Sequence, residues 1–270
     1  MTNLDNANDW WGGEGRSQNR LSLLDLIGNE TLSNELAALL WLFVENKTSI
    51  LTAAGPQLAG KTTLLTALLD MAPQRYNSVL TQGRSEDFSF LDTSDAANTY
   101  VLVPELSDHT PAYLWGESVS TLFDALDAGY SMVATMHADS PEQVTQMLRQ
   151  PPVAIPGEQL HHVGVVINIR LMYGERDMIR RVTAVTLIEP GPKFVRLAIS
   201  NDADESSAFL ESEQSRQAVS KRIKADDLAT LLAQRQAILE EWLDSPPNDA
   251  ASFAGRVAKF YESNPSNTSE

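Results

Sequence analysis

Apolar positions along the chain switch between two periods, and the switches divide it into elements. From Leu21 the stretches LSLLDLIG and LSNELAALLWLFVEN repeat at helical spacing. Leu36, Leu39, Leu40 and Phe43 share one face, and Ser33 ahead of them is a residue type that caps helices. Residues 49–55, SILTAAG, form a short unbroken apolar run, as a strand buried on both faces requires. A loop with glycine at both ends follows, then the helical pattern TTLLTALLDMA. The alternation repeats. Apolar runs starting at Ser78 (SVLTQ), Tyr100 (YVLVP), Ala112 (AYLWG) and Ser131 (SMVATMH) predict strands. The amphipathic stretches SVSTLFDALDAG and SPEQVTQMLRQ predict helices.

This alternation predicts an α/β fold with a mostly parallel sheet covered on both faces, whose ligand sits at the carboxyl ends of the strands. Beyond residue 157 the pattern changes. HHVGVVINIRL, IRRVTAVTLIE and KFVRLAIS have period-two features, and the turn residues YGERD and PGPK separate them. They predict an antiparallel strand extension. The polar segment NDADESS then leads to a C-terminal helical segment, with Leu228, Leu231, Leu232, Ile238, Leu239, Trp242 and Leu243 at helical spacing. The expected organisation is a mobile leader over 1–20, an α/β core domain over 21–200, an acidic linker and helical segment over 201–262, and a disordered tail over 263–270. In the leader, Trp10 and Trp11 serve either as a small contact with the domain surface or as a partner-docking anchor.

The most informative stretch is GPQLAGKTT: Gly55, Pro56, Gln57, Leu58, Ala59, Gly60, Lys61, Thr62 and Thr63. It satisfies the G-x-x-x-x-G-K-[ST] pattern of a phosphate loop, the Walker A sequence. The spacing has a physical cause. The glycines let the backbone turn tightly, so that successive N–H groups point at one anion. The following helix aims its free N–H groups and the positive end of its dipole at the same place. Lys61 then lies along the β- and γ-phosphates of ATP, and the Thr62 hydroxyl is a ligand for Mg2+. By chance the pattern arises in roughly one chain of this length in a hundred. Its place between an apolar strand and a helix is the context it demands.

Composition narrows the chemistry. The chain has 270 residues, 20 basic against 36 acidic side chains, and a net charge of −16. Nucleic acid is not indicated as a partner, because general affinity for it comes from Lys and Arg. The absence of cysteine excludes disulfides, thiolate metal sites and a cysteine nucleophile. Four histidines argue against an extended histidine metal cluster. The longest apolar run, LAALLWLFV, falls short of the roughly 20 residues needed to span a bilayer, and no secretory signal opens the chain. The expected location is cytoplasmic, with peripheral docking at the inner membrane open.

A nucleotide hydrolase needs a carboxylate from a later strand. Glu117 in AYLWGES is the candidate, at the end of an expected strand. Its other reading is a helix-terminal carboxylate favoured by the dipole. His137, at the end of MVATMH, is placed to meet a γ-phosphate; its other reading is a helix cap or a backbone contact. His109 and the pair His161–His162 read as structural or solvent-facing.

Taken together, GPQLAGKTT, WGES and ALDAGYSMVATMHADSPEQVTQML resemble the ATPase superfamily of type II and type IV secretion and pilus assembly. The similarity is greatest to its tight-adherence and type IV secretion branch, in a compact form without the usual N-terminal domain, and covers about residues 21–200. The resemblance implies a RecA-like P-loop NTPase core that uses ATP and Mg2+. It implies a homo-oligomer, usually a hexameric ring, or a hetero-oligomer with another ATPase subunit, working on a membrane-embedded secretion or pilus platform protein. It carries Lys61 and Thr62 over to phosphate and metal binding, Glu117 to metal binding and hydrolysis, and His137 to the γ-phosphate.

Departures from the family pattern concern catalysis more than binding. The N-terminal domain that supplies arginines is missing, and Arg84 and Arg149 are the candidates within the core. Val119 stands where an arginine is usual. Gln82–Gly83 replaces an acidic pair, for which Glu86 and Asp87 are the nearest substitutes. Gln57 and Leu58 are bulky for the loop. The expected function is therefore an ATP-binding and ATP-hydrolysing subunit, the alternative being a nucleotide-binding regulatory or scaffold subunit with little turnover. A stand-alone small-molecule kinase and a purely structural domain remain as further readings.

Overall fold

The computed structural model describes residues 20–55, 58–173, 178–200 and 207–264. The expected leader with Trp10 and Trp11, the loop residues Pro56 and Gln57, the turn 174–177, the acidic stretch 201–206 and the tail from 265 lie outside the described residues. Two serine-capped helices come first. In α1 (Leu23–Gly28), Ser22 and Asp25 form a reciprocal capping box; in α2 (Asn34–Glu45), the Ser33 side chain accepts from the Leu36 N–H. The chain then alternates: β1 (Ile50–Ala53), α3 (Lys61–Leu69), β2 (Asn77–Leu80), β3 (Thr99–Val103), α4 (Glu117–Asp127), β4 (Ser131–Met136) and α5 (Pro141–Arg149). A 3-10 segment, Gly157–Val163, leads into β5 (Val165–Tyr173), β6 (Met178–Glu189), β7 (Lys193–Ser200) and β8 (Ser207–Phe209). Three helices follow: α6 (Glu213–Ile223), α7 (Leu228–Asp244) and α8 (Ala250–Ser263).

The strands form one eight-stranded sheet in the order β2-β3-β4-β1-β5-β6-β7-β8. Neighbours from β2 through β5 pair parallel; β5 through β8 pair antiparallel. The α/β class, the mostly parallel core, the antiparallel extension and the C-terminal helices are those expected from the sequence. Every residue of β1, β3 and β4 is buried, which is why these strands read as unbroken apolar runs. Within them the period of two still sorts side chains to two faces. Ile50, Tyr100, Leu102, Val133, Val165 and Ile167 pack toward α1, α2, α3 and the C-terminal helices. Leu51, Val101, Val103, Met132, Ala134 and Val166 pack toward α4, α5 and the 3-10 segment.

The C-terminal helices share the first of these cores. Trp41 of α2 is fully buried, its ring 5.8 Å from Trp242 and 4.7 Å from Phe260. Its indole N–H donates to the Tyr261 hydroxyl at 2.8 Å, and that hydroxyl donates to the Met71 carbonyl at 2.7 Å. Arg235 of α7, 3% exposed, donates from Nε and Nη2 to Glu45 Oε2 at 3.2 and 2.6 Å.

Two expectations need correction. AYLWG is not a strand. Only Leu114 in it is buried, and it makes one isolated bridge, to Leu106. The sheet positions on both sides of β4 belong to β3 and β1, so Ala112–Gly116 does not enter the sheet beside β4. Ser207, the last residue of NDADESS, pairs with Ser200 and opens β8, so the sheet extends past the expected boundary at residue 200. Among the described residues, no helix is long and apolar enough to cross a membrane.

Candidate functional site

The site lies at the carboxyl ends of β1, β3, β4 and β5, where the parallel strands hand over to loops and helix N-termini. β1 delivers the chain to Gly55. A Cβ there would stand 2.3 Å from Asp139 Oδ1, so only glycine admits the Asp139 carboxylate this close. The loop re-enters α3 through Gly60 at φ +95°, the left-handed region open to glycine. Among the described residues no side chain caps α3. Its first N–H groups and dipole end face the loop, the arrangement that binds anions. The helix starts at Lys61, one residue ahead of the expected Thr62, which stands on its first turn.

Lys61 is 8% exposed. Burial pushes its pKa down, and the nearby Glu105 carboxylate pulls it up. Glu105 is the strand-end carboxylate. It follows Val103 and Pro104 at the end of β3 and is 6% exposed. The Leu106 N–H donates to the Thr135 carbonyl at 2.9 Å and the Thr135 hydroxyl donates to the Pro104 carbonyl at 2.6 Å, stitching this loop to β4. Ser107 donates to Glu105 Oε1 at 2.8 Å. His137, after β4, stands between the two loops. Its Nδ1 lies 3.0 Å from the Gly55 carbonyl oxygen, which only accepts, so Nδ1 is the donor of this bond. Its Nε2 lies 3.4 Å from Glu105 Oε2.

Glu117 is not part of this constellation. It is exposed on the first turn of α4, and the strand end that was its warrant does not exist. Its helix-terminal reading is the one the geometry supports. Glu105 was missed although YVLVPEL carries the same signal, an apolar run ending in a carboxylate. What singled out Glu117 was the glycine before it, and Gly116 instead provides the φ of +74° that starts α4. Glu86 and Asp87 do not stand in for the acidic pair either. Both Glu86 oxygens accept backbone N–H groups, from Gln82 at 2.7 Å and Phe88 at 2.9 Å. Asp87 accepts from the Ser89 N–H at 2.9 Å, and this bonding holds its carboxyl below the usual range.

The cationic candidates separate. Arg149 is exposed at the far end of α5, away from the strand ends. Arg84 lies near the site, donating to the Asp108 carbonyl at 2.9 Å. Sequence reading missed Arg180 of β6. Its Nε donates to the Leu58 carbonyl at 3.1 Å, and its Cδ would stand 3.0 Å from a Cβ on Gly60. A bulge between Asn168 and Ile169 shifts the β5–β6 register just before this point. Ile169 packs with Ala54 and Ala59 beneath the loop. Asn168, paired with Ala53 across β1 and β5, donates to the Asp139 carbonyl at 3.1 Å.

No protein-family model matches the chain. Solved structures similar to it include the VirB11 ATPase of the Brucella suis type IV secretion system, 17% identical with a TM-score of 0.40, the match covering 61% of this chain and 54% of that one. The ATPase DotB of Yersinia pseudotuberculosis is 12% identical with a TM-score of 0.40, covering 86% and 62%. Among curated proteins, Uncharacterized protein MJ0900 of Methanocaldococcus jannaschii is 25% identical over 194 residues, 63% of this chain, which spans only 34% of that protein. Uncharacterized protein MJ1287 of the same organism is 30% identical over 198 residues, 63% of this chain and 70% of its own length. At that identity and coverage, the chain belongs to the family of the Methanocaldococcus jannaschii protein MJ1287.

Proposed function

We propose that the chain is an ATP-binding and ATP-hydrolysing subunit of a secretion or pilus-assembly machine, with a RecA-like core. One observation carries the reading: Lys61, Glu105 and His137 converge on a glycine-capped helix N-terminus at the strand ends. Phosphate oxygens are received by the N–H groups of the loop and of α3. Lys61, buried and held near Glu105, is drawn toward the β- and γ-phosphates. The donor set fits magnesium, since the Thr62 hydroxyl and the Glu105 carboxylate both offer hard oxygens. Mg2+, when bound, neutralises charge developing on the phosphate oxygens. Glu105 accepts the proton of the attacking water, and His137, fixed through Nδ1 on the Gly55 carbonyl, reports the state of the loop to Glu105. Arg180 supplies a cation from within the chain, where the resemblance calls for arginines from a separate domain. A ring of such subunits acting on a membrane-embedded platform protein is what the sequence resemblance adds.

The alternative, a nucleotide-binding regulatory subunit with little turnover, is favoured by one observation. The Glu86 and Asp87 carboxylates near Gln82–Gly83 are engaged by backbone N–H groups of their own turn. Phosphate release from Mg-ATP decides between the two. Lys61→Ala is expected to abolish ATP binding. Glu105→Gln should bind ATP and lose turnover by ~10²–10⁴-fold. Glu117→Gln should keep most of both. Turnover lost in Glu117→Gln but kept in Glu105→Gln would reverse the assignment. Binding without turnover in the unaltered chain would establish the regulatory reading.

A further inference from the structure

We propose that Glu105, His109 and His137 form a binding site for a first-row transition-metal dication such as zinc, and that its occupation switches the site off. One ligand atom from each residue lies within 4.8 Å of the other two. Glu105 Oε1 is 3.7 Å from His109 Nδ1, and Glu105 Oε2 is 3.4 Å from His137 Nε2. These separations are too long for charge-assisted hydrogen bonds, which close to about 2.7–2.9 Å. They approach the spacing of about 3.3 Å between two ligands on one tetrahedral ion with bonds near 2.0 Å.

The surroundings of each ligand point the same way. Nδ1 of His137 donates to the Gly55 carbonyl, which leaves Nε2 as the ring nitrogen turned toward the Glu105 carboxylate. A cation placed between Nε2 and that carboxylate would be held by both. A ligating histidine that donates its other ring N–H to a carbonyl is the usual support of a metal ligand. Ser107 orients the third side. Its hydroxyl donates to Glu105 Oε1 at 2.8 Å, and its oxygen accepts the His109 N–H at 3.4 Å. One short loop therefore sets both Glu105 and His109. His109, 62% exposed, has the freedom to close the remaining distance. Two imidazole nitrogens beside one carboxylate select zinc and its neighbours over magnesium, which prefers oxygen.

The consequence rests on the proposed role of Glu105 in hydrolysis. A carboxylate bound to zinc is no longer available to magnesium or to the attacking water, so zinc and turnover exclude each other. Titration calorimetry with zinc chloride, on the nucleotide-free full chain in magnesium-containing buffer, tests the site without any reference to activity. One zinc per chain is expected. His109→Ala should weaken it more than Ser107→Ala, whose oriented-ligand loss is expected to cost about 10–100-fold. His162→Ala, at the separate His162–Asp127 contact of 3.1 Å, should leave it unchanged. No zinc bound, or affinity unaltered in His109→Ala, overturns the site. In the ATP assay, the zinc concentration that halves turnover should rise in His109→Ala in step with its Kd. Zinc that binds through His109 yet leaves turnover untouched overturns the switch. A chain that binds zinc but never hydrolyses ATP refutes the hydrolytic reading and leaves the metal site standing.

Discussion

At Lys47 the ammonium donates to the carbonyls of Ala96 and, at 2.8 Å, of Gly129. Burial pushes its pKa down to about 8 from an ordinary 10.5, and Asp95 opposes the shift. The direction of the stability effect follows. Between pH about 8 and 10.5 the unfolded chain holds a proton that the folded chain has released, so stability rises with pH across that window. Below it both states are protonated, and the dependence on Lys47 vanishes. Denaturant midpoints measured from pH 7 to 10.5 should show the rise, and Lys47→Met should remove it. A difference between the two proteins that is flat or falls with pH would contradict the desolvated-ammonium reading. Nothing in the local sequence around Lys47 marks it as half-buried against two carbonyls. Glu105 and Glu117 make the same point for function. Each follows an apolar run, and what separates them is which run found a neighbour in the sheet.

Among the elements, β6 carries the least foreseeable contribution. Its sequence predicts a strand, and a strand forms. That Arg180 reaches the Leu58 carbonyl depends on the antiparallel pairing of β5 with β6 and on the bulge at Asn168/Ile169, which no local pattern specifies. Loss of a preorganised donor at a reacting phosphate costs about 10²-fold. Arg180→Ala is expected to lower turnover by this order. Arg180→Lys should recover only part of it, because an ammonium lacks the planar fork of a guanidinium. Turnover at the unaltered rate in Arg180→Ala would remove β6 from the site. The loop and α3 behave differently. Gly55, Gly60 and Lys61 sit within one short stretch, and their spacing sets the geometry without help from distant elements.

Over the whole molecule, Glu45 and Arg235 connect helices 190 residues apart in the chain. Both are nearly inaccessible, and the guanidinium also lies 4.6 Å from the Phe260 ring and 5.3 Å from the Trp41 ring. Removing one partner strands the other charge in the core. Glu45→Ala should therefore cost about 3–5 kcal/mol in denaturant unfolding. The double variant Glu45→Leu/Arg235→Met should recover most of that loss, since a packed apolar pair replaces a buried ionic one at little cost. If the double variant is as unstable as the single one, the pair is not what anchors α7 to α2.

Information carried by neighbouring residues was decided by the sequence alone. Periodicity specified the helices, the buried strands apart from the over-read AYLWG, and the change to an antiparallel extension. The spacing Gly55-x-x-x-x-Gly60-Lys61-Thr62 predicted a glycine-led entry into a helix, and α3 does begin at Lys61 after Gly60 at φ +95°. What required long-range pairing was left to the tertiary structure. The sheet order β2-β3-β4-β1-β5 put Glu105 rather than Glu117 at a strand end. It brought His137 against Gly55 and Glu105, seated His109 beside them and laid Arg180 over the loop. A carboxylate becomes a site residue through what its strand pairs with, and pairing is a property of the folded chain.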